Sequence, residues 1–168
     1  FNGVFDGLNH TINGLYINRS STNCIGLFGF IKNENSTIQN VGLVGGSITG
    51  QDNVGGVIGS ENHGNITNVY NTGLVNGTNF VGGIVGNKLA GTTANVYNTG
   101  TVNGAEGVGG VVGLINSGVI RNAYNTGMVS GTKYVGGIAG EITSAIENVY
   151  NTGVVIGSSG VGGVVGYK

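Results

Sequence analysis

Short apolar stretches alternate with turn-forming residues along the chain. Within residues 66–88, the apolar stretches 66–70, 74–75 and 80–85 are separated by Asn, Thr and Gly. Apolar residues do not recur at helical spacing for even two turns, whereas short apolar stretches bounded by turn residues are typical of β-strands. The pattern therefore predicts an all-β chain with almost no helix.

Two phrases recur at a nearly constant period. Val-Gly-Gly-x-x-Gly occurs five times, and Tyr-Asn-Thr-Gly occurs four times, at spacings of 27, 27 and 26 residues. A fixed period in this range indicates one supersecondary unit copied along an axis. Two or three strands fit into such a unit, whereas a four-stranded propeller blade needs roughly 40 residues. We therefore predict a single-stranded β-solenoid (parallel β-helix) with about six coils of ~27 residues.

In a solenoid, each residue stacks on its equivalent one coil away, about 4.8 Å distant, so the repeats define columns. Three columns of small apolar residues are expected to point inward: Val69, Val96, Ala123 and Val149; Val75, Val102, Val129 and Val155; and Val57, Ile84, Val111, Ile138 and Val164. β-Branched side chains fill a narrow interior well.

The Tyr-Asn-Thr-Gly phrase predicts three further columns. Its asparagines are expected to form a hydrogen-bonded ladder inside a corner: Asn71, Asn98, Asn125 and Asn151. Strand alternation then turns two rows outward: Tyr70, Tyr97, Tyr124 and Tyr150, beside Thr72, Thr99 and Thr126. The glycines that follow are expected to turn the chain with positive φ: Gly73, Gly100, Gly127 and Gly153.

The chain divides into a degenerate N-terminal coil, residues 1–24, and regular repeats, residues 25–168. In the first coil, Ile12 is expected to align with Ile38 of the next. The last repeat stops after eight residues, which suggests an excerpt truncated at its C-terminal end.

Composition and charge exclude several functions. Gly makes up 37 of 168 residues without a collagen period, and charged residues are only 8 %. With a net charge of −1, no face can be strongly basic, so we expect no binding to nucleic acid, and no apolar stretch is long enough for membrane insertion.

Opposite charges fall in register one coil apart and are interpreted as exposed cross-strand pairs: Glu61 with Lys88, Glu106 with Lys133, and Arg121 with Glu147.

The repeated phrase, from Val-Gly-Gly-x-Val-Gly to Ile-x-Asn-x-Tyr-Asn-Thr-Gly-x-Val-x-Gly, resembles the GLUG-motif repeat over roughly residues 25–168. Gly26-Leu27-Phe28-Gly29 is the best copy of the naming tetrapeptide. Such repeats occur in large secreted bacterial proteins, including filamentous-haemagglutinin-like adhesins and the non-catalytic region of IgA-cleaving metallopeptidases. The resemblance implies an extracellular or cell-surface β-solenoid scaffold and supplies no catalytic residues.

No catalytic or metal-binding pattern is present in the sequence. His10 and His63 lack a partner at ligand spacing, His-Glu-x-x-His is absent, and no cofactor motif is recognisable. Asp52 and Glu106 are predicted to lie two coils and roughly 9–10 Å apart, near the separation of the two carboxylates in glycoside hydrolysis. An ion pair with Lys133, which is in register with Glu106, is a simpler explanation of Glu106. We therefore expect no enzymatic activity, no metal and no cofactor.

The expected function is a non-catalytic adhesin-like scaffold that presents or forms an adhesive fibre, with a host or community surface glycan or a protein receptor as partner. Three alternatives remain open. The tyrosine and threonine rows form a carbohydrate-binding surface, with aromatic bodies and hydroxyls for a sugar; the coils associate end to end into a filament; or the chain is a non-catalytic region of a secreted peptidase.

Overall fold

The chain winds into a parallel β-solenoid. The computed structural model describes all residues from Phe1 to Lys168 and contains 23 strands and no helix. The strands form four sheets, each made of strands from successive coils, and neighbouring strands are parallel. The predicted all-β solenoid of about six coils is thereby confirmed.

The first and second sheets each contain six strands. The first sheet comprises β1 (Val4–Asn13), β4 (Thr37–Val44), β8 (Asn65–Asn71), β12 (Thr92–Asn98), β16 (Val119–Asn125) and β20 (Ala145–Asn151). The second comprises β2 (Tyr16–Asn18), β5 (Ser47–Thr49), β9 (Leu74–Asn76), β13 (Val102–Asn103), β17 (Val129–Ser130) and β21 (Val155–Ile156).

The third and fourth sheets complete each coil. The third comprises β6 (Asp52–Gly55), β10 (Asn79–Gly82), β14 (Glu106–Gly109), β18 (Lys133–Gly136) and β22 (Ser159–Gly162). The fourth comprises β3 (Phe28–Ile31), β7 (Ile58–Glu61), β11 (Val85–Lys88), β15 (Val112–Ile115), β19 (Ala139–Ile142) and β23 (Val165–Tyr167).

A regular coil thus holds four strands, and the prediction of two or three was wrong. The reason is the tightness of the corner between the third and fourth sheets. Strand β14 ends at Gly109 and β15 begins at Val112, so only Gly110 and Val111 form the turn. A corner of two residues leaves room for an extra short strand within the 27-residue period.

The glycines of the Tyr-Asn-Thr-Gly phrase have a different role from the predicted one. None of the four lies in the positive-φ region. A Cβ on Gly100 would instead overlap the carbonyl oxygen of Gly73 in the preceding coil, and the equivalent overlap occurs at Gly127 and Gly153. Glycine is required here because the backbones of successive coils approach closely.

The core is a set of apolar columns that run along the axis. Twenty-seven buried apolar residues form one cluster. The predicted inward columns belong to it up to the last coil, with Val69, Val75 and Ile84 at most 1 % exposed, whereas Val149 and Val155 are only partly buried. In the last coil, burial decreases because one side has no further coil, and Val164 is 37 % exposed.

One pair of charges lies inside this core, where the sequence had predicted an exposed pair. Lys88 and Glu61 form an ion pair of 3.0 Å, and both side chains are fully buried. Their column otherwise contains isoleucine, with Ile31 before them and Ile115 and Ile142 after them. The prediction of an exposed pair was wrong because register alone does not show which face a strand turns inward.

The other two charge pairs differ from each other. Lys133 and Glu106 form an ion pair of 2.7 Å, with side chains 44 % and 40 % exposed. Arg121 and Glu147 are register partners in the first sheet, but no ion pair joins them within 4.0 Å. Only Lys133 and Glu106 therefore form the predicted surface pair.

The first coil pairs with the second in a different register from the predicted one. Ile12 pairs with Leu43, whereas Phe5 pairs with Ile38. An irregularity between Asp6 and His10, where Leu8 and Asn9 have φ of 50° and 63°, inserts extra residues into β1. Such a bulge is not visible in the apolar pattern.

Candidate functional site

The four tyrosines of the repeated phrase form a stacked ladder on the outside of the first sheet. The strand register aligns Tyr70, Tyr97, Tyr124 and Tyr150 in consecutive coils. Their ring centroids are separated by 4.8, 4.8 and 5.1 Å, and neighbouring rings are within 6° of parallel. Each aromatic pair adds about 0.5–1.5 kcal/mol to the stability that burial alone provides.

This stacking covers the faces of the rings. Tyr97 and Tyr124 have a ladder tyrosine on both sides, and Tyr70 lies against Gly42, where a Cβ would overlap the ring. Tyr150, which is 54 % exposed, is stacked against Tyr124 on one face only. The ladder therefore offers solvent its hydroxyls and ring edges instead of a row of faces.

The threonine row lies beside the tyrosine ladder. Thr99 and Thr126 are exposed, whereas Thr72 is half-buried and its hydroxyl oxygen accepts a hydrogen bond of 2.8 Å from the backbone N–H of Gly45. Thr99 and Thr126 are thus free to contact a ligand, and Thr72 already stabilises the preceding turn.

A second asparagine ladder runs along the outer face and was missed by the sequence reasoning. It consists of Asn40, Asn68, Asn95, Asn122 and Asn148, all with φ between 49° and 55°. The Nδ2 of each of the last four donates to the Oδ1 of its equivalent in the preceding coil, over 2.7–3.2 Å. At the first coil, Asn40 donates to Asp6, so a carboxylate ends the ladder.

The left-handed backbone at these positions explains why the outer ladder was missed. Asn68 interrupts the strand alternation, so that Ile66 and Val69, three residues apart, both point inward. The recurrence of Asn at this position was the available signal, because asparagine is enriched among non-glycine residues with positive φ.

The predicted inner asparagines are also joined from coil to coil. Asn71 donates to Asn98 over 3.0 Å, Asn98 to Asn125 over 2.8 Å, and Asn125 to Asn151 over 2.8 Å. Each Nδ2 also donates to the carbonyl of the glycine two residues later. The inner ladder donates toward the C-terminal coil and the outer one toward the N-terminal coil, so the two amide rows have opposite polarity.

The tyrosine ladder and its flanking asparagine and threonine rows carry no charge over the coils that they share. Burial raises the pKa of Tyr97 above its ordinary value of 10.0, and the neighbouring phenols Tyr124 and Tyr70 raise it further, so its hydroxyl stays protonated. The charged side chains Arg121 and Glu147 lie in the column beyond the outer asparagines. The surface is therefore neutral and rich in hydrogen-bonding groups.

The acids considered for catalysis have structural partners. Asp52 accepts a hydrogen bond of 2.8 Å from the side chain of Asn79, and Glu106 accepts one of 2.7 Å from Lys133. No group of three or more His, Cys, Asp and Glu side chains is placed to hold a metal ion. No helix has the length and apolar character needed to cross a bilayer.

Sequence comparison finds a partial similarity to a much longer protein. No family model matches the chain. A segment of 76 residues is 42 % identical to halomucin from Haloquadratum walsbyi. This segment is 45 % of the present chain and 1 % of halomucin.

Structural comparison finds the same fold in a crystal structure from Bacteroides ovatus that bears the name "putative immunoglobulin A1 protease". The TM-score is 0.74 at 27 % identity, over 95 % of the present chain and 55 % of the other. The chain therefore spans about half of that protein. It is a repeat β-solenoid that is similar in fold to the Bacteroides ovatus protein and similar in sequence, over part of its length, to halomucin.

Proposed function

We propose that the chain is a non-catalytic scaffold segment of an extracellular, adhesin-like repeat protein. The observation that carries this proposal is that the asparagines and tyrosines repeated in every coil join each coil to the next. Both asparagine ladders and the tyrosine stack continue from one coil to the next. About six coils at ~4.8 Å give a rod of roughly 30 Å, which suits the spacing or display of a binding region.

The cellular location is the first test of this role. An extracellular setting is supported by the resemblance to GLUG-motif repeats and by the partial similarity to halomucin. Intact producing cells would be treated with an external protease and probed with an antibody against this chain. We expect the protease to remove the antibody signal from intact cells, or the chain to be found in the medium. An antibody signal that the protease removes only after the cells are lysed would contradict the proposal.

The similarity to the Bacteroides ovatus protein favours a second candidate, a non-catalytic region of a secreted peptidase. The chain would then hold a separate catalytic region at a distance from its attachment point. Incubation of the purified chain with immunoglobulin A1, followed by electrophoresis, is expected to leave the substrate intact. Cleavage that persists in repeatedly purified protein would contradict a non-catalytic role in either setting.

End-to-end association is a third candidate, favoured by the way in which coils pair. Successive coils pair through all four parallel sheets, and the asparagine and tyrosine ladders continue from coil to coil, so coils of two molecules can pair in the same way. Unpaired edges are templates for another strand. Sedimentation velocity should show species that grow with concentration, and a single monomeric species at every concentration would contradict self-assembly.

A further inference from the structure

We propose that the outer face of the first sheet binds a neutral, extended β-linked glucan that lies parallel to the solenoid axis, with one sugar facing each coil. This inference rests on the adhesive role proposed above and names the class of ligand. The binding strip is defined as the tyrosine ladder with the outer asparagines of the same coils: Tyr70, Tyr97, Tyr124, Tyr150, Asn68, Asn95, Asn122 and Asn148.

The spacing of the strip supports a linear polymer. The ring centroids of its tyrosines are 4.8–5.1 Å apart between consecutive coils, over four coils. An extended β-linked glucan places successive sugars at close to this interval, because its rings lie nearly in line. An α-linked glucan of the same sugar coils and cannot keep one sugar beside each tyrosine.

The strip keeps hydrogen-bonding capacity in every coil. An asparagine side chain has two N–H donors and two acceptor lone pairs. The ladder uses one donor and one lone pair of Asn95, which donates to Asn68 and accepts from Asn122, and all three are exposed. One donor and one lone pair therefore remain for a ligand at each coil, together with a tyrosine hydroxyl.

This mixture of donors and acceptors suits a ligand whose successive units alternate in orientation. Neighbouring sugars of an extended β-linked glucan are rotated by about half a turn, so each coil meets a different edge of the sugar. A side-chain amide and a phenol hydroxyl can each donate or accept. Identical coils can thus bind sugars that face them in alternate directions.

The charge of the strip selects a neutral ligand. Asparagine and tyrosine side chains carry no charge at neutral pH, and the raised pKa of Tyr97 keeps that hydroxyl protonated. Arg121 and Glu147, in the flanking column, are opposite in sign and adjacent in register. A polyanionic or polycationic polymer would find no complementary row of charges, whereas a neutral glucan needs none.

The stacking geometry also fixes the mode of contact. Because the facing surfaces of neighbouring tyrosine rings cover one another, a glucan that runs along the ladder cannot stack on each ring in turn and must lie across the hydroxyls and ring edges. The edge of an aromatic ring is the positive part of its quadrupole. Ring edges are therefore suited to contact the hydroxyl oxygens of the sugar.

The test uses isothermal titration of the full chain with cello-oligosaccharides from the disaccharide to the hexasaccharide. The matched malto-oligosaccharides contain the same sugar in α-linkage. We expect affinity for the β-linked series to rise with length up to about four sugars, one for each ladder tyrosine, and to exceed that for the α-linked series at least about tenfold. Absence of cello-oligosaccharide binding, equal affinity for both series, or no dependence on length would overturn the proposal.

Two variants locate the site. Tyr97→Phe with Tyr124→Phe keeps the stack but removes two hydroxyls, and Asn95→Gly keeps a residue that tolerates positive φ but removes one amide. Each is expected to weaken cellohexaose binding about tenfold, whereas Tyr167→Phe, on the fourth sheet, should not. Circular dichroism verifies the fold, and unchanged binding by a folded strip variant would refute the site.

These outcomes are separable from those of the adhesive role. A chain that is exposed on the cell surface but does not bind cello-oligosaccharides would retain the scaffold function and lose this ligand class. A chain that binds them through the strip but is found only inside cells would retain the glucan site and lose the extracellular role.

Discussion

The Nζ atom of Lys88 lies 3.0 Å from the Oε2 atom of Glu61, and neither side chain is in contact with solvent. Lys88 also donates to the carbonyl oxygen of Ala90 over 3.0 Å, whereas the buried Oε1 of Glu61 has no hydrogen-bond partner. Two charges have thus been removed from water with incomplete compensation. Such a pair contributes little net stability, although each partner depends on the other.

Removal of one partner of this pair should destabilise the fold strongly. Lys88→Ile leaves the carboxylate of Glu61 buried without a counter-charge, at an expected loss of about 3–5 kcal/mol in the free energy of unfolding. The double variant Glu61→Ile with Lys88→Ile extends the isoleucine column and should be as stable as the wild type or more stable by about 1–4 kcal/mol. Urea unfolding followed by circular dichroism measures both; a double variant less stable than the single one would contradict this account.

The same pair predicts a dependence of stability on pH. Burial raises the pKa of Glu61 from 4.5 to about 7, so between these values the folded chain holds a proton that the unfolded chain has released. The contribution of Glu61 is therefore full below about pH 4.5 and is lost as the pH rises to about 7. Burial lowers the pKa of Lys88, which gives the opposite slope on the alkaline side, below 10.5.

Other groups titrate in the acid range, so the test compares two proteins. The pKa of Glu141 is raised by burial, which acts in the same direction as Glu61, and the pKa of Asp6 is lowered by its hydrogen bonds, which acts in the opposite direction. Both groups remain in the double isoleucine variant. The difference in free energy of unfolding between wild type and variant should change between about pH 4.5 and 7, and a constant difference would exclude titration of Glu61.

The sequence predicted the columns of the core because stacking in a solenoid follows directly from the period. Val69, Val96 and Ala123 are buried as expected. The burial of Glu61 and Lys88 was missed, although a signal existed, since the equivalent positions of later coils hold Ile115 and Ile142. Apolar equivalents indicate the inward face more reliably than opposite charges indicate an exposed pair.

The candidate surface could be predicted only in part. Alternation around Val69 placed Tyr70 on the outside, but the orientation of the ring along the axis depends on side-chain packing that no periodicity encodes. The outer amide ladder depends on the positive φ of Asn68, which changes the alternation locally. Irregular backbone within a strand is therefore the main reason why this surface was only partly predictable.

Gly110 and Gly163 lie at equivalent corners of different coils and provide a matched test of close packing. A Cβ on Gly110 would overlap the carbonyl oxygen of Gly137 and the side chain of Asn125, whereas a Cβ on Gly163 would meet no atom within 4 Å. Gly110→Ala should therefore lower the free energy of unfolding by about 1–3 kcal/mol or more. Gly163→Ala should change it by less than about 0.5 kcal/mol or raise it slightly, because alanine reduces the entropy of the unfolded chain. Equal effects in urea unfolding would contradict the packing argument.

The outer asparagines combine a backbone role with a hydrogen-bonding role, and two substitutions at one position separate them. Asn122 has φ of 52°, donates to Asn95 over 2.9 Å and accepts from Asn148 over 2.7 Å. Asn122→Gly and Asn122→Ala both remove these bonds, but only alanine adds the cost of a left-handed backbone, about 1–2 kcal/mol. Glycine partly offsets this difference because it loses more entropy on folding, by up to about 1 kcal/mol. Asn122→Ala should therefore be less stable than Asn122→Gly in urea unfolding. Equal stability of the two variants would show that the backbone relaxes at this position and that asparagine is required only for its amide.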